Sequence, residues 1–289
     1  MSTGDVAHIW EQVVDGIDFG EGPRWHLGRL WFSDFYQGTI SSVGHDRRRR
    51  VEVEYDGRPS GLGWLPDGRL LFVSMLDRRV MRRETDGSIV EHADLDGIAT
   101  GFCNDMVVGP LGNAYVGNFG FDFEGGEPPA AATLAIVWAD GTVTAAADEL
   151  RFPNGSVITD DGSTLIVGES MGARYTAFTI THDRGLTDRR VWAEVPGMAP
   201  DGCTIDAEGA IWFADALGSQ VVRVLEGGEI TDRVPTLDNV FACMLGGADG
   251  RTLFALTAAG AHPDTVDGTA TGALWQRQVS VPRTPTSRP

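Results

Sequence analysis

The sequence predicts an all-β chain folded as a six-bladed β-propeller with four-stranded antiparallel blades. Three observations predict it. Tight-turn pairs recur along the chain, at Asp56-Gly57, Asp67-Gly68, Asp86-Gly87, Asp161-Gly162, Glu208-Gly209 and Asp249-Gly250. Such pairs supply the positive φ of hairpin turns. Between them lie short apolar runs, and no stretch sustains a capped helical periodicity. Finally, the turn glycines Gly28, Gly68, Gly112, Gly162, Gly209 and Gly250 each open a similar apolar strand, at separations of 40, 44, 50, 47 and 41 residues. A period of roughly 40–50 residues with several strands per repeat is the signature of a propeller.

The elements follow in order. A strand at His8 to Val14 is expected to complete the last blade, closing the ring and leaving no open sheet edge. Each turn glycine then leads into the second strand of its blade. The fifth repeat shows the full meander: Cys203 to Asp206, Ala210 to Ala214, Gln220 to Val224 and Ile230 to Val234. The third repeat carries a long insertion, Phe119 to Pro129, too apolar for a plain solvent loop; it reads as a flap over a site or as an aromatic plug between blades. The sixth repeat offers Thr252 to Thr257 and Leu274 to Val279, then runs out. The six repeats fill residues 1–280 as one domain, and the Pro/Arg/Ser/Thr-rich stretch 281–289 is expected to be a flexible tail.

Composition narrows the function. The formal net charge of −18 excludes nucleic acid and anionic membrane as natural partners. The only basic run, Arg47 to Arg50, follows a turn and reads as a solvated surface. Cys103, Cys203 and Cys243 lie in apolar surroundings without disulfide-like spacing, which together with the lack of a signal-like N-terminus predicts a cytoplasmic protein with reduced thiols. No apolar run approaches the roughly 20 residues that span a bilayer.

The chemistry lies at a position that repeats. Ser60, Asn104, Asn154, Asp201 and Ala242 each stand eight residues before the turn glycine of their repeat, and Glu21 stands seven before Gly28. The first strand of each propeller blade lines the central channel, so these six positions are expected to form a ring at one depth. Four of them, Glu21, Asn104, Asn154 and Asp201, carry carboxylate or amide oxygens. Hard oxygen ligands suit one divalent cation, Ca²⁺ foremost, then Mg²⁺ or Mn²⁺, with Zn²⁺ a further alternative. Facing carboxylates also repel unless a positive charge sits between them. Other candidates are weaker. His262 lies in a loop, Cys103 and Cys203 should face away from the channel by strand alternation, and no Gly-x-Ser-x-Gly accompanies Ser60. Asn154-Gly155-Ser156 matches the glycosylation pattern but is expected to face the channel.

Glu21-Gly22-Pro23-Arg24-Trp25, Asn104-Asp105, Phe152-Pro153-Asn154-Gly155 and Pro200-Asp201-Gly202 together resemble the marker segments of the SMP-30/gluconolactonase/LRE-like family, over all six repeats. The resemblance implies a metal in the channel and hydrolysis of a small-molecule lactone or related ester. It implies Glu21, Asn154 and Asp201 as metal ligands, Asp201 also as general acid/base, and Asn104 as a substrate or metal contact. It further implies Asp122, in the insertion, as a substrate contact, with Phe121 beside it. Sugar-lactonase members carry Arg two residues before that Asn, where this chain has Phe102, so the expected substrate is less polar than a sugar lactone. Phe35, Tyr36, Met75, Phe119 and Phe121 are expected near the mouth, with Phe102 and Phe121 as substrate contacts. The alternative is a non-catalytic propeller that binds a ligand or protein around a structural metal.

Overall fold

The computed structural model describes residues 9–284. It contains six four-stranded antiparallel sheets in a ring, a six-bladed β-propeller. The first blade comprises β2 (Gly20–His26), β3 (Arg29–Asp34), β4 (Thr39–Val43) and β5 (Arg49–Glu54). The second comprises β6 (Pro59–Trp64), β7 (Leu70–Ser74), β8 (Arg79–Arg83) and β9 (Ile89–Asp94). β10 (Cys103–Val108), β11 (Ala114–Asn118), β12 (Ala132–Val137) and β13 (Val143–Leu150) form the third. β14 (Pro153–Ile158), β15 (Thr164–Glu169), β16 (Arg174–Ile180) and β17 (Leu186–Glu194) form the fourth. The fifth contains β18 (Pro200–Ile205), β19 (Ile211–Asp215), β20 (Gln220–Val224) and β21 (Ile230–Pro235). The sixth joins β22 (Asn239–Gly246), β23 (Thr252–Ala258) and β24 (Gly272–Gln278) to β1 (Glu11–Ile17) from the start of the chain. Helix among the described residues is limited to a 3₁₀ turn at Ser170–Gly172 and α1 (Pro263–Val266). No helix among them is long and apolar enough to cross a membrane.

The turn chemistry does what the sequence implies. Asp161 Oδ1 accepts the Ser163 N–H at 3.0 Å, and Gly162 between them sits at φ 71°. A side chain that bonds its own backbone two residues on, followed by a residue free to take positive φ, pins the hairpin. Asp67, Asp86 and Asp249 repeat the bond in their own turns.

Burial is organised between blades. Phe32 and Leu30 meet Phe254 and Leu256 where the last blade meets the first. Tyr175 and Ile166 meet Phe213 and Ile211 between the fourth and fifth. The other four interfaces hold comparable clusters. Each sheet thus buries both faces, and the apolar second strands follow from that demand.

Ring closure occurs three residues later in the chain than expected. β1 pairs with β24 through Glu11↔Gln276, Gln12↔Trp275, Val14↔Leu274 and Ile17↔Gly272. Ile17 is fully buried in the cluster between the last and first blades, which anchors the strand at that register. Trp10 lies before the strand and donates its indole N–H to the Pro235 carbonyl at 2.8 Å. His8, the expected start, lies outside the described residues. Of the expected tail, residues 281–284 run against the barrel, with Ala207 N–H donating to Pro282 O and Arg283 N–H to Gly250 O. Residues 285–289 lie outside the described residues.

The strand start expected at Cys203 is in fact Pro200. The reason is a β-bulge that sequence reading did not foresee. All six inner strands slip register at the same level: between Glu21 and Arg24, Pro59 and Leu62, Cys103 and Met106, Pro153 and Ser156, Pro200 and Cys203, and Val240 and Ala242. A bulge twists the strand and re-aims the side chains at the slip. The residues at these slips include the six expected to form the ring.

Candidate active site

Glu21, Asn104, Asn154 and Asp201 come together on the wall of one cavity of about 730 Å³ that opens on one face of the propeller. All four are buried. Close packing of the bulges brings them together. A Cβ on Gly61 would fall 2.4 Å from Met106 N, and one on Gly155 would fall 2.4 Å from the Asp201 carbonyl oxygen. Only glycine lets neighbouring inner strands approach so closely. Ser60 is also buried at this level but does not line the cavity, and Ala242 offers no oxygen, its neighbour Phe241 reaching the wall instead.

The polar atoms of the ring are under-satisfied. Asn154 Oδ1, Asp201 Oδ1 and Ser60 Oγ are buried without a hydrogen-bond partner. Asn154 Nδ2 donates to Ser170 Oγ at 3.2 Å, which turns its oxygen the other way. Glu21 Oε2 accepts only the N–H of Gly22, at 2.9 Å. Burial pushes the Glu21 carboxyl well above the usual carboxylate range, and the Asp201 charge pushes it further. Burial likewise raises Asp201, with the Asp105 charge adding to it. Orphaned buried oxygens and crowded carboxylates cost stability unless something positive joins them. The donor set therefore fits a hard divalent cation. Among the described residues no three His, Cys, Asp or Glu side chains gather in metal-holding geometry; the fit relies on two carboxylates with two amides.

On the far side of the ring from the cavity, Arg24 fills the channel. Its Nη2 donates to Asp105 Oδ1 at 2.6 Å and to Met106 O at 2.5 Å, and its Nη1 to Pro23 O at 2.8 Å. This buried ion pair ties the first inner strand to the third.

Above the ring, the wall is built by a second repeat rule. In the first five blades, the residue two before the ring position offers its carbonyl to the residue just past the second strand. Phe35 N–H donates to Phe19 O, Met75 to Arg58, Phe119 to Phe102, Ser170 to Phe152 and Ala216 to Ala199, all at 2.9–3.1 Å. Nine of these ten residues line the cavity; Phe102 alone does not. Arg58 and Phe152 adopt left-handed backbone, at φ 54° and 60°, rare for such side chains and sustained where the surroundings over-determine it. Of this tier, sequence reading anticipated Phe35, Met75 and Phe119 near the mouth, where they and Tyr36 line the cavity, and singled out Phe102; it passed over Phe19, Arg58, Phe152, Ser170, Ala199 and Ala216. The signal available was the constant offset of two from the ring.

The insertion forms part of the wall. Phe119 stacks on Phe152 with centroids 4.3 Å apart, and Phe123 packs edge-on against both. Glu124 Oε1 accepts from Arg58 Nη1 at 2.6 Å, and the Arg58 guanidinium lies 4.9 Å from the Tyr36 ring centroid. Phe119, Phe123, Glu124 and Pro129 face the cavity, so the segment is both wall and interblade packing. Phe121 is buried behind it, against Phe123 and Phe152, and Phe102 packs behind Phe119. Asp122 is exposed and does not line the cavity; its Oδ1 accepts the Gly125 N–H at 2.7 Å, closing its own turn. His262 caps α1 by accepting from Asp264 N–H. Cys103 and Cys203 are buried, and burial pushes both thiols up to about 12, so neither is a ready nucleophile.

The family model described as SMP-30/Gluconolactonase/LRE-like region matches residues 19–259. The pentonolactonase XacC of Haloferax volcanii is 30% identical over 297 residues, covering 96% of this chain and 97% of that protein. Among solved structures, a luciferin-regenerating enzyme superposes with a TM-score of 0.82 at 21% identity, covering 97% of this chain and 98% of the other. A calcium-binding protein, regucalcin, from Agrobacterium tumefaciens gives 0.78 at 21% identity, covering 96% and 95%. At these identities the two structures speak to the fold.

Proposed function

The chain belongs to the SMP-30/gluconolactonase/LRE-like family, and on that footing we propose that it is a divalent-metal-dependent hydrolase that opens a lactone or related ester less polar than a sugar lactone. The observation that carries the reading is the pair of orphaned buried oxygens, Asn154 Oδ1 and Asp201 Oδ1, beside Glu21 at the floor of an open cavity. Glu21, Asn104, Asn154 and Asp201 would hold the cation, Ca²⁺ by their chemistry, and when bound it would supply Lewis-acid polarisation of the lactone carbonyl.

The chain's own residues do the rest. Asp201 takes a proton from the attacking water and returns it to the departing ring oxygen, so the proton count balances across hydrolysis. Asn154, fixed by Ser170, keeps its carbonyl oxygen turned toward the floor. Asn104 contacts the cation or the substrate carbonyl. The apolar tier above excludes bulk water, which strengthens each polar contact below it. Support for a lactone comes from the pentonolactonase relative, and support for Ca²⁺ from the calcium-binding neighbour. Support for lower polarity comes from the Phe-rich wall.

The test is chelation followed by re-addition. Treatment with a calcium chelator is expected to abolish lactone hydrolysis while far-UV circular dichroism stays unchanged, and Ca²⁺ is expected to restore turnover. Full activity in the chelated protein would overturn the assignment.

A further inference from the structure

The cavity is far larger than a lactone ring alone requires. At about 730 Å³ it lies in the range that encloses a drug-sized ligand. The tier above the ring carries eight apolar side chains among its ten positions, the exceptions being Arg58 and Ser170. Both exceptions are engaged. Ser170 Oγ donates to Pro200 O at 2.7 Å and accepts from Asn154, and Arg58 is paired with Glu124 and lies on Tyr36. A polyhydroxylated substrate would therefore meet few free partners above the ring, and its hydroxyls would lose their water without replacement.

The apolar surface also continues out of the cavity. Leu217 is 76% exposed, Met171 42% and Phe123 36%, and all three line the mouth. They sit past the second strands of the fifth, fourth and third blades, so they form one arc on the rim. Isolated exposed apolar side chains are ordinary, but three that follow one another around the rim of an apolar cavity mark a binding surface.

From this arc and the Phe119–Phe152 stack we infer that the substrate is a lactone carrying an extended apolar tail, which lies along the stack and leaves over Met171 and Leu217. The inference rests on the lactonase reading for its reacting end and on the cavity alone for its tail. Phe119, Phe152, Met171 and Leu217 are then specificity-determining residues.

Two measurements on the Ca²⁺-loaded full chain separate the claims. Turnover of γ-lactones with side chains from methyl to octyl is compared with turnover of a pentono-1,4-lactone. Binding of γ-lactams with the same side chains, which resist hydrolysis, is followed by calorimetry. The expected result is a rise of at least about tenfold in kcat/KM and in lactam affinity from methyl to octyl, with the pentonolactone below the octyl lactone. Phe119→Ala and Leu217→Ser should each reduce the octyl-to-methyl ratio severalfold; Leu217, being exposed, is replaceable without harm to folding. A flat lactam series overturns the tail inference whatever the turnover, as does preference for the pentonolactone. Tail-dependent lactam binding with no lactone turned over would uphold the tail inference and remove the hydrolase.

Discussion

Asp201 Oδ1 is buried and unpartnered, whereas Glu169, also buried, is fully engaged. On the proposed reading, the contrast separates a group kept for a cation from one kept for structure. Asp201→Asn is expected to lower kcat at least about 100-fold with little change in thermal midpoint, and an active Asp201→Asn enzyme would remove it from the mechanism. Ser60→Ala deletes a hydroxyl that has no partner. It should leave kcat within about twofold and stability equal or up to about 1 kcal/mol higher; a collapse in turnover would place Ser60 among the residues that serve the cation or the substrate. Glu169 accepts from Arg151 N–H, from Arg174 Nε and from Thr176 Oγ1. Although burial raises its carboxyl, the Arg174 guanidinium, the Thr176 hydroxyl and the Arg151 N–H together hold it below the usual range. A depressed carboxylate contributes stability that is present above the unfolded value, about 4.3, and is lost as pH falls through the lower folded value. The stability gap between wild type and Glu169→Gln should therefore be widest near neutral pH and close below about pH 4, as urea midpoints across pH would show; a gap constant with pH would contradict this.

The inner strand is the element that converts the repeat into a site. Regular alternation would send residues 104 and 105 to opposite faces, yet the slip between Cys103 and Met106 lets Asn104 reach the cavity while Asp105 meets Arg24. Sequence reading reached the ring through an offset of eight residues from the turn glycines, seven at Glu21, because that offset is set by strand length. The bulges were not legible, since a slipped hydrogen bond leaves no compositional mark except the glycine that permits it. For the same reason the substrate contacts were the least legible part. Phe102, Phe121 and Asp122 lie near the cavity in sequence, but ring stacking and an Asp-stabilised turn keep them off its wall. Phe152 and Arg58 reach it through left-handed backbone that no pattern announces. Gly155→Ala tests the packing of the bulges: with Asp201 O only 2.4 Å from the added Cβ, a loss of about 1–3 kcal/mol is expected, accompanied by weaker cation binding. An unchanged urea midpoint would show that the strands have more room than the structure gives them.

At the scale of the whole molecule, six interblade clusters replace a central core, and β1 against β24 is the one joint made by strands from opposite ends of the chain. Repeat count, turn chemistry and ring closure were all readable, since each follows from local sequence; only the closing register moved, from 8–14 to Glu11–Ile17, because Ile17 finds its burial late. Val14→Pro places a proline in the closing strand, at the position paired with Leu274. It is expected to lower the urea midpoint more than Val51→Pro in the outer strand of the first blade, and equal losses would mean that closure contributes little. The tier above the ring carries a last consequence. Its five rungs are main-chain bonds, so their side chains can be exchanged without disturbing the rungs themselves. Selection can then redraw what the cavity accepts, one blade at a time, while the ring below and the frame stay as they are, which makes this scaffold a ready starting point for accommodating new ligands.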